Sequence, residues 1–199
     1  MSEERFYHLH STGIEPCSMM KDAYERARAT WLCPGCAAPK PGTTAVDVHI
    51  QEKAPSEKPL SFVNGCGVPL ANREFLQSLG TDVVQRDLYL GKVFGPSGNV
   101  LDDWVTFRGR RRVIVRGSKN VSHRQCNVCG RHVYFAMGSR YLFPRPVSDA
   151  SIHESDLFGL VVTPELAARV TVNRWPKLGV EELKVVEKPK DALPELVSG

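Results

Sequence analysis

Trp31-Leu32-Cys33-Pro34-Gly35-Cys36 and Cys126-Asn127-Val128-Cys129-Gly130 are the two stretches around which the chain is organised. Each holds a C-x-x-C, the spacing at which one tight loop turns two thiolates inward and supplies half of a tetrahedral zinc shell. One such pair is a weak signal. Two pairs complete a four-cysteine site, in which zinc-sulfur bonds of about 2.3 Å would fix both loops against each other. Cys33, Cys36, Cys126 and Cys129 are therefore the predicted ligands of one structural zinc.

The long gap between the pairs does not forbid a shared ion. Closing a loop of about 90 residues instead of about 20 costs only about 1.3 kcal/mol more. Structural zinc contributes on the order of 10 kcal/mol, so the metal term dominates. A thiol redox centre at Cys33 and Cys36 is the main alternative. It needs its nucleophilic cysteine at a helix N-terminus, and Pro39 and Pro41 would lie inside that helix at roughly 3 kcal/mol each. Cys17 and Cys66 have no neighbour at ligand spacing and read as buried apolar thiols. His123 and His132 flank the second pair as substitute ligands, although His132 is better placed to continue a strand.

With 199 residues, 42% of them hydrophobic, the chain can bury a core. Its start, Met1-Ser2-Glu3-Glu4-Arg5, is not a basic region followed by an apolar run, and no segment approaches the roughly 18 apolar residues of a membrane span. The reading is a cytoplasmic protein without membrane association, its thiols reduced. The net charge is only +4, but residues 105–147 contain no Asp or Glu. Arg108, Arg110, Arg112, Arg116 and Lys119 fall inside that basic segment and are the predicted partner-binding residues.

The fold class expected is α+β: an antiparallel β-meander, a zinc-ribbon-like four-cysteine clasp, and a small C-terminal strand-helix-strand unit. Residues 5–9 read as a strand. Ser18 is the expected cap of an amphipathic helix leading to the first pair, and residues 45–50 alternate as a strand. Residues 70–79, closed by Gly80, fit a helix with Phe75, Leu76 and Leu79 inward. Strands at 87–94, 100–107 and 110–116 would make the meander. In the last of these, Arg110, Arg112, Ile114 and Arg116 share one face, which predicts a row of guanidinium groups in solvent. The second pair leads into residues 132–137, a Gly138-Ser139 turn and residues 140–143, a hairpin of zinc-ribbon type. Residues 160–162, a helix capped by Thr163 with Pro164 first, and residues 182–186 form the C-terminal unit. The division expected is one domain over 1–187, with knuckles at 33–36 and 126–130, an inserted segment at 68–120, a C-terminal unit at 159–187, and a tail at 188–199.

Catalytic motifs are not apparent. Gly95-Pro96-Ser97-Gly98 lacks the Gly-Lys-Ser/Thr ending of a phosphate loop, and Asp102 and Asp103, neighbours in a strand, point to opposite faces. The chain reads as a binding protein rather than an enzyme.

Taken in order, Cys33-Pro34-Gly35-Cys36, Cys126-Asn127-Val128-Cys129-Gly130-Arg131, Gly159-Leu160-Val161-Val162-Thr163-Pro164-Glu165-Leu166 and Leu178-Gly179-Val180-Glu181 resemble the double-CxxCG motif family of myxobacteria. That family is associated with immunity proteins of Sit-type contact-dependent toxin systems. The resemblance implies a small protein that binds and neutralises one cognate toxin domain delivered by a neighbouring cell. One departure is Ala37, which stands where the second pair has Gly130 and predicts a different turn at the first knuckle. The alternative function is a zinc-ribbon nucleic-acid binder, using the basic segment with Phe107, Tyr134, Phe135 and Tyr141 as stacking residues.

Overall fold

The computed structural model describes residues 5–13, 16–53, 58–142, 149–173 and 175–186, with the backbone alone over 118–124 and 132–137. In chain order the elements are β1 (Arg5–Ser11), α1 (Lys21–Thr30), β2 (Val48–His49), β3 (Leu60–Val63), β4 (Val68–Asn72), α2 (Arg73–Leu79), α3 (Thr81–Asp87), β5 (Leu88–Phe94) and β6 (Val100–Gly109). They continue with β7 (Arg112–Val113), β8 (Val115–Gln125), β9 (His132–Leu142), β10 (Ile152–Ser155), β11 (Gly159–Val162), α4 (Pro164–Val172) and β12 (Leu178–Val185). The class is α+β, built on two sheets. The expected tail at 188–199 lies outside the described residues.

The smaller sheet has the order β2-β5-β6-β4-β3 and the larger β7-β10-β11-β1-β12-β9-β8. In the larger sheet β7 and β8 occupy opposite edges, yet only Ile114 separates Val113 from Val115. Two residues so close in sequence span at most about 7 Å, so the sheet curls until its two edges meet at Ile114. Phe6, Val113, Val115, Leu142, Val161 and Leu183 form one buried cluster within this sheet. β1 lies at its centre, antiparallel to both β11 and β12, so the first strand of the chain is sandwiched by the C-terminal unit.

A second cluster joins the two sheets. Leu9 and Leu160 from the curled sheet meet Leu60, Ala71, Val105 and Phe107 from the smaller one. Phe75, Leu76 and Leu79 of α2 and Leu166 and Val170 of α4 fill the same core. A third cluster packs Ala23, Ala27 and Leu32 around α1 against Ile50 and against Val48, Val68, Leu70 and Val93 of the smaller sheet.

Several expectations are corrected. The meander does not form: β5 and β6 make an antiparallel hairpin, but β4 is the other neighbour of β6, and the chain leaves for the curled sheet after Gly109. Residues 70–72 belong to a strand, because Leu70 and Ala71 pair with Thr106 and Val105. The helix starts only at Arg73, where the Asn72 side chain accepts from the backbone N–H groups of Glu74 and Phe75. Ser18 does not cap α1, whose N-cap is Met20; the Ser18 backbone N–H donates instead to the Glu52 carboxylate. Residues 132–142 are one strand, not a hairpin. Gly138, at φ +75°, sits with Ser139 opposite Ser118 where the β8/β9 register shifts, so a β-bulge replaces the expected turn.

Candidate metal centre

Each cysteine pair sits at the tip of a hairpin. After α1 the chain makes a single antiparallel bridge between Leu32 and Pro39, and residues 33–38 turn between them. The second pair turns between β8 and β9, whose last cross-strand partners are Gln125 and His132. No helix begins at Cys33, so the arrangement that would activate a redox thiol is not formed there.

The two turns have the same hydrogen-bond pattern. The Cys33 backbone N–H donates to the Ala38 carbonyl at 2.8 Å, and that of Cys126 donates to the Arg131 carbonyl at 2.9 Å. The Ala37 N–H donates to the Cys33 carbonyl at 2.8 Å, and the Gly130 N–H to the Cys126 carbonyl at 2.9 Å. Ala37 takes φ +56° and Gly130 φ +71°. The alanine is therefore driven into the left-handed region that its glycine counterpart enters freely. The expectation of a different turn at the first knuckle is corrected: the turn is the same, and Ala37 carries the strain.

These matched turns aim four sulfurs at one point. Cys33 Sγ lies 3.8 Å from Cys126 Sγ, and Cys36 Sγ 3.7 Å from Cys129 Sγ. All four lie within 4.8 Å of one another. Sulfurs at about 2.3 Å from the centre of a tetrahedron stand about 3.8 Å apart, whereas disulfide sulfurs are about 2.05 Å apart. The cysteines are free thiols, and their spacing suits a shared ion. The four-cysteine cluster can thus hold a metal ion, and it unites the predicted ligands across the long sequence gap.

The closeness of the two turns depends on Gly35. A Cβ at this position would fall 2.8 Å from Val128 Cγ2 and 3.0 Å from Cys126 Sγ. Backbone N–H groups of Cys129 and Val128 pull the Cys126 thiol down to about 6. Those of Cys36, with a smaller contribution from Gly35, pull Cys33 down. Burial, reinforced by the neighbouring sulfurs, pushes Cys36 up to about 12 and also raises Cys129. Each knuckle therefore pairs one thiol shifted down with one shifted up, and metal binding would take the proton from both. Arg131, directly after the second knuckle, is half-buried within electrostatic reach of Cys36, Arg112, Asp156 and Glu154. It offers positive charge beside a thiolate cluster that would stay net negative around a divalent ion.

Cys17 and Cys66 are buried as expected, and burial pushes both thiols up to about 11. The side chains of His123 and His132 lie outside the described residues, as do those of Lys119, Tyr134 and Phe135.

The predicted row of solvent-facing arginines is corrected. Arg116 is fully buried and Arg108 only 5% exposed. Arg108 Nε donates to Glu154 Oε2 at 3.0 Å, and Arg112 Nε lies 3.4 Å from Glu154 Oε1. The Gly109 backbone N–H donates to the same carboxylate at 2.8 Å. Arg110 stacks its guanidinium 4.1 Å from the centre of the Tyr89 ring. Arg110, Arg111 and Arg112 are the exposed members of the segment where the chain crosses between sheets. Sequence reasoning missed Glu154, whose role shows only when a residue 46 positions from Arg108 is brought beside it.

The fold and the cluster define an α+β protein with a four-cysteine centre able to hold a metal ion. In comparisons with protein-family models and with curated protein sequences, the chain matches none. Among the described residues no helix is long and apolar enough to cross a membrane.

Proposed function

We propose that this is an immunity protein, clasped by one structural zinc ion, that binds and neutralises a cognate toxin domain delivered by neighbouring cells. The resemblance to the double-CxxCG motif family supplies the biological role. The observation that carries the physical part is the cluster itself: four sulfurs face one another between two matched turns, so they serve as a clasp rather than as an exposed reactive group. Zinc is the ion of choice for an all-thiolate tetrahedral shell. Bound there, it would tie the segment after α1 to the tip of the β8/β9 hairpin and stiffen the surface between them. Tight capture of a partner favours such a pre-organised surface, because ordering it beforehand lowers the cost of association.

Arg110, Arg111 and Arg112 are the proposed contact residues for an acidic patch of the toxin. Arg111 is the informative one, since Arg112 is engaged by Glu154 and Arg110 by Tyr89. Reversing the charge at Arg111 should slow association and flatten its salt dependence. The decisive experiment is co-expression with the toxin domain encoded beside this chain. Co-purification and rescue of toxin-treated cells are expected, and failure of both would overturn the proposal. Metal analysis should find about one zinc per chain in the untreated protein, lost in Cys126→Ser and Cys129→Ser.

The alternative of a zinc-ribbon nucleic-acid binder has lost Arg108 and Arg116 to the interior and Arg112 to an ion pair. Binding to oligonucleotides that weakens steeply with salt would restore it.

A further inference from the structure

Outside the cysteine cluster, one other group of donors converges. β1 places His8 and His10 on the same face, two residues apart. β12 runs antiparallel beside it, setting Glu181 opposite His8 and Gly179 opposite His10. The imidazole rings stack with centroids 5.0 Å apart. One ligand atom from each of His8, His10 and Glu181 lies within 4.8 Å of the others. We propose that these three residues form a second metal centre, for a divalent transition-metal ion of the kind that prefers imidazole and carboxylate donors, such as nickel or copper(II).

Two further observations support a ligand here. His8 Nε2 and His10 Nδ1 are buried and make no hydrogen bond among the described residues. Buried polar atoms are nearly always satisfied, and an unsatisfied one calls for an explanation such as an unseen water or ion. The rings are also held in place by the strands on either side. A Cβ on Gly159 of β11 would fall 2.8 Å from His8 Nε2, and one on Gly179 of β12 would fall 2.5 Å from His10 Nε2. The two glycines thus leave room for both rings to lie against the neighbouring backbone. His8 is wholly buried, whereas His10 and Glu181 are half-buried, so the group is open on one side.

Arg140 is the built-in competitor. Its Nη1 donates to Glu181 Oε2 at 3.0 Å and stands 3.5 Å from His8 Nδ1. The positively charged guanidinium repels an incoming cation and occupies part of the carboxylate. The Arg140 side chain is 29% exposed and can swing toward solvent when an ion arrives. Removal of its charge should therefore strengthen binding, whereas loss of a true donor should weaken it. A purely structural ion pair predicts no metal in either case.

The test uses the full, untagged chain with its cysteine cluster first loaded with zinc. Nickel is then titrated in by calorimetry, and total metal per chain is counted after gel filtration. One nickel per chain beyond the zinc is expected. His10→Ala and Glu181→Gln should each weaken nickel binding by about tenfold or more, and Arg140→Gln should tighten it about tenfold, the scale on which residues around a metal shift affinity. Cobalt substitution separates the two centres, since only the cysteine cluster gives sulfur-to-cobalt charge-transfer absorption. Circular dichroism and an unchanged zinc content verify that each variant is folded. The proposal is overturned if the wild-type chain takes up no metal beyond the cysteine cluster. It is equally overturned if uptake persists unchanged in both His10→Ala and Glu181→Gln.

Discussion

Exchanging the residues that close the two knuckles gives a pair of opposite effects whose sizes follow from the backbone. Ala37 at φ +56° occupies the left-handed region, which costs an L-residue with a Cβ roughly 1–2 kcal/mol. Ala37→Gly relieves that strain. It also gives the unfolded chain more freedom, which takes back about 0.4–1 kcal/mol, and it removes a half-buried methyl worth about 0.4 kcal/mol. The net is a stabilisation of about 0.4 kcal/mol. Gly130→Ala runs the other way. Among the described residues its new Cβ would have only Gln125 Nε2 near it, at 3.9 Å, and no clash adds to the strain. The expected loss is about 0.8 kcal/mol. For a chain of this size these figures correspond to melting temperatures roughly 1 °C higher and 2–3 °C lower. Urea denaturation and calorimetry of the zinc-loaded proteins, with the double variant as a check on additivity, make the measurement. If Gly130→Ala is as stable as the parent, or Ala37→Gly is destabilised by more than about 0.5 kcal/mol, the reading of the two turns as equivalent is wrong.

Three other expectations concern the surroundings of the clasp and the buried charges. Gly35→Ala should weaken metal retention because its Cβ meets Val128 Cγ2 at 2.8 Å. Val128→Ala in the same chain should recover part of the loss, so a double-mutant cycle should show coupling of about 0.5 kcal/mol or more; strictly additive effects would contradict the contact. Glu154→Ala strips the carboxylate from Arg108, which is only 5% exposed. Leaving a buried charge unpaired should cost about 3–5 kcal/mol in denaturant titration, and a loss below about 1 kcal/mol would mean that Arg108 finds another partner. Asp87 provides the pH-dependent case. Burial raises its pKa, but hydrogen bonds from Arg86 and from the backbone N–H groups of Ser151 and Ile152 outweigh this and hold the carboxyl below its ordinary 3.8. A depressed carboxyl stabilises the fold fully above its unfolded value and loses that contribution as pH falls through the folded value. The stability gap between the parent and Asp87→Asn should be present at pH 7 and close below 3.8; a gap that widens on acidification would reverse the sign.

The cysteine cluster was legible because each half is local. C-x-x-C fixes two donors within one turn, and the chemistry of four thiolates then requires the halves to meet. The shape of the first turn was not legible. A preference of about 1 kcal/mol for glycine in the left-handed region yields to the bonds that close a knuckle, and Ala37 accepts the strain. Residues 70–72 misled for a related reason. Asn72 with Glu74 after it is a visible helix start, but the apolar run before it continues the pattern, and only pairing with β6 makes that run a strand.

The basic segment shows most clearly where such reasoning stops. Alternation along a strand says which residues share a face; whether water reaches that face depends on what the fold lays over it. Val113 and Val115 do share a buried face, and Ile114 between them is 36% exposed, yet Arg116, two positions from Ile114, is fully buried. The lack of acid over 105–147 is likewise a property of the linear chain. Folding brings Glu154 against Arg108 and Arg112, and brings Asp156 close enough for its carboxylate to accept from the Val115 backbone N–H. The charge at Arg108 and Arg112 is thus answered from outside the segment. Among the described residues, Arg110, Arg111 and Arg112 form a short exposed arc where the chain passes from one sheet to the other. Arg131 lies within electrostatic reach of both Arg112 and Cys36.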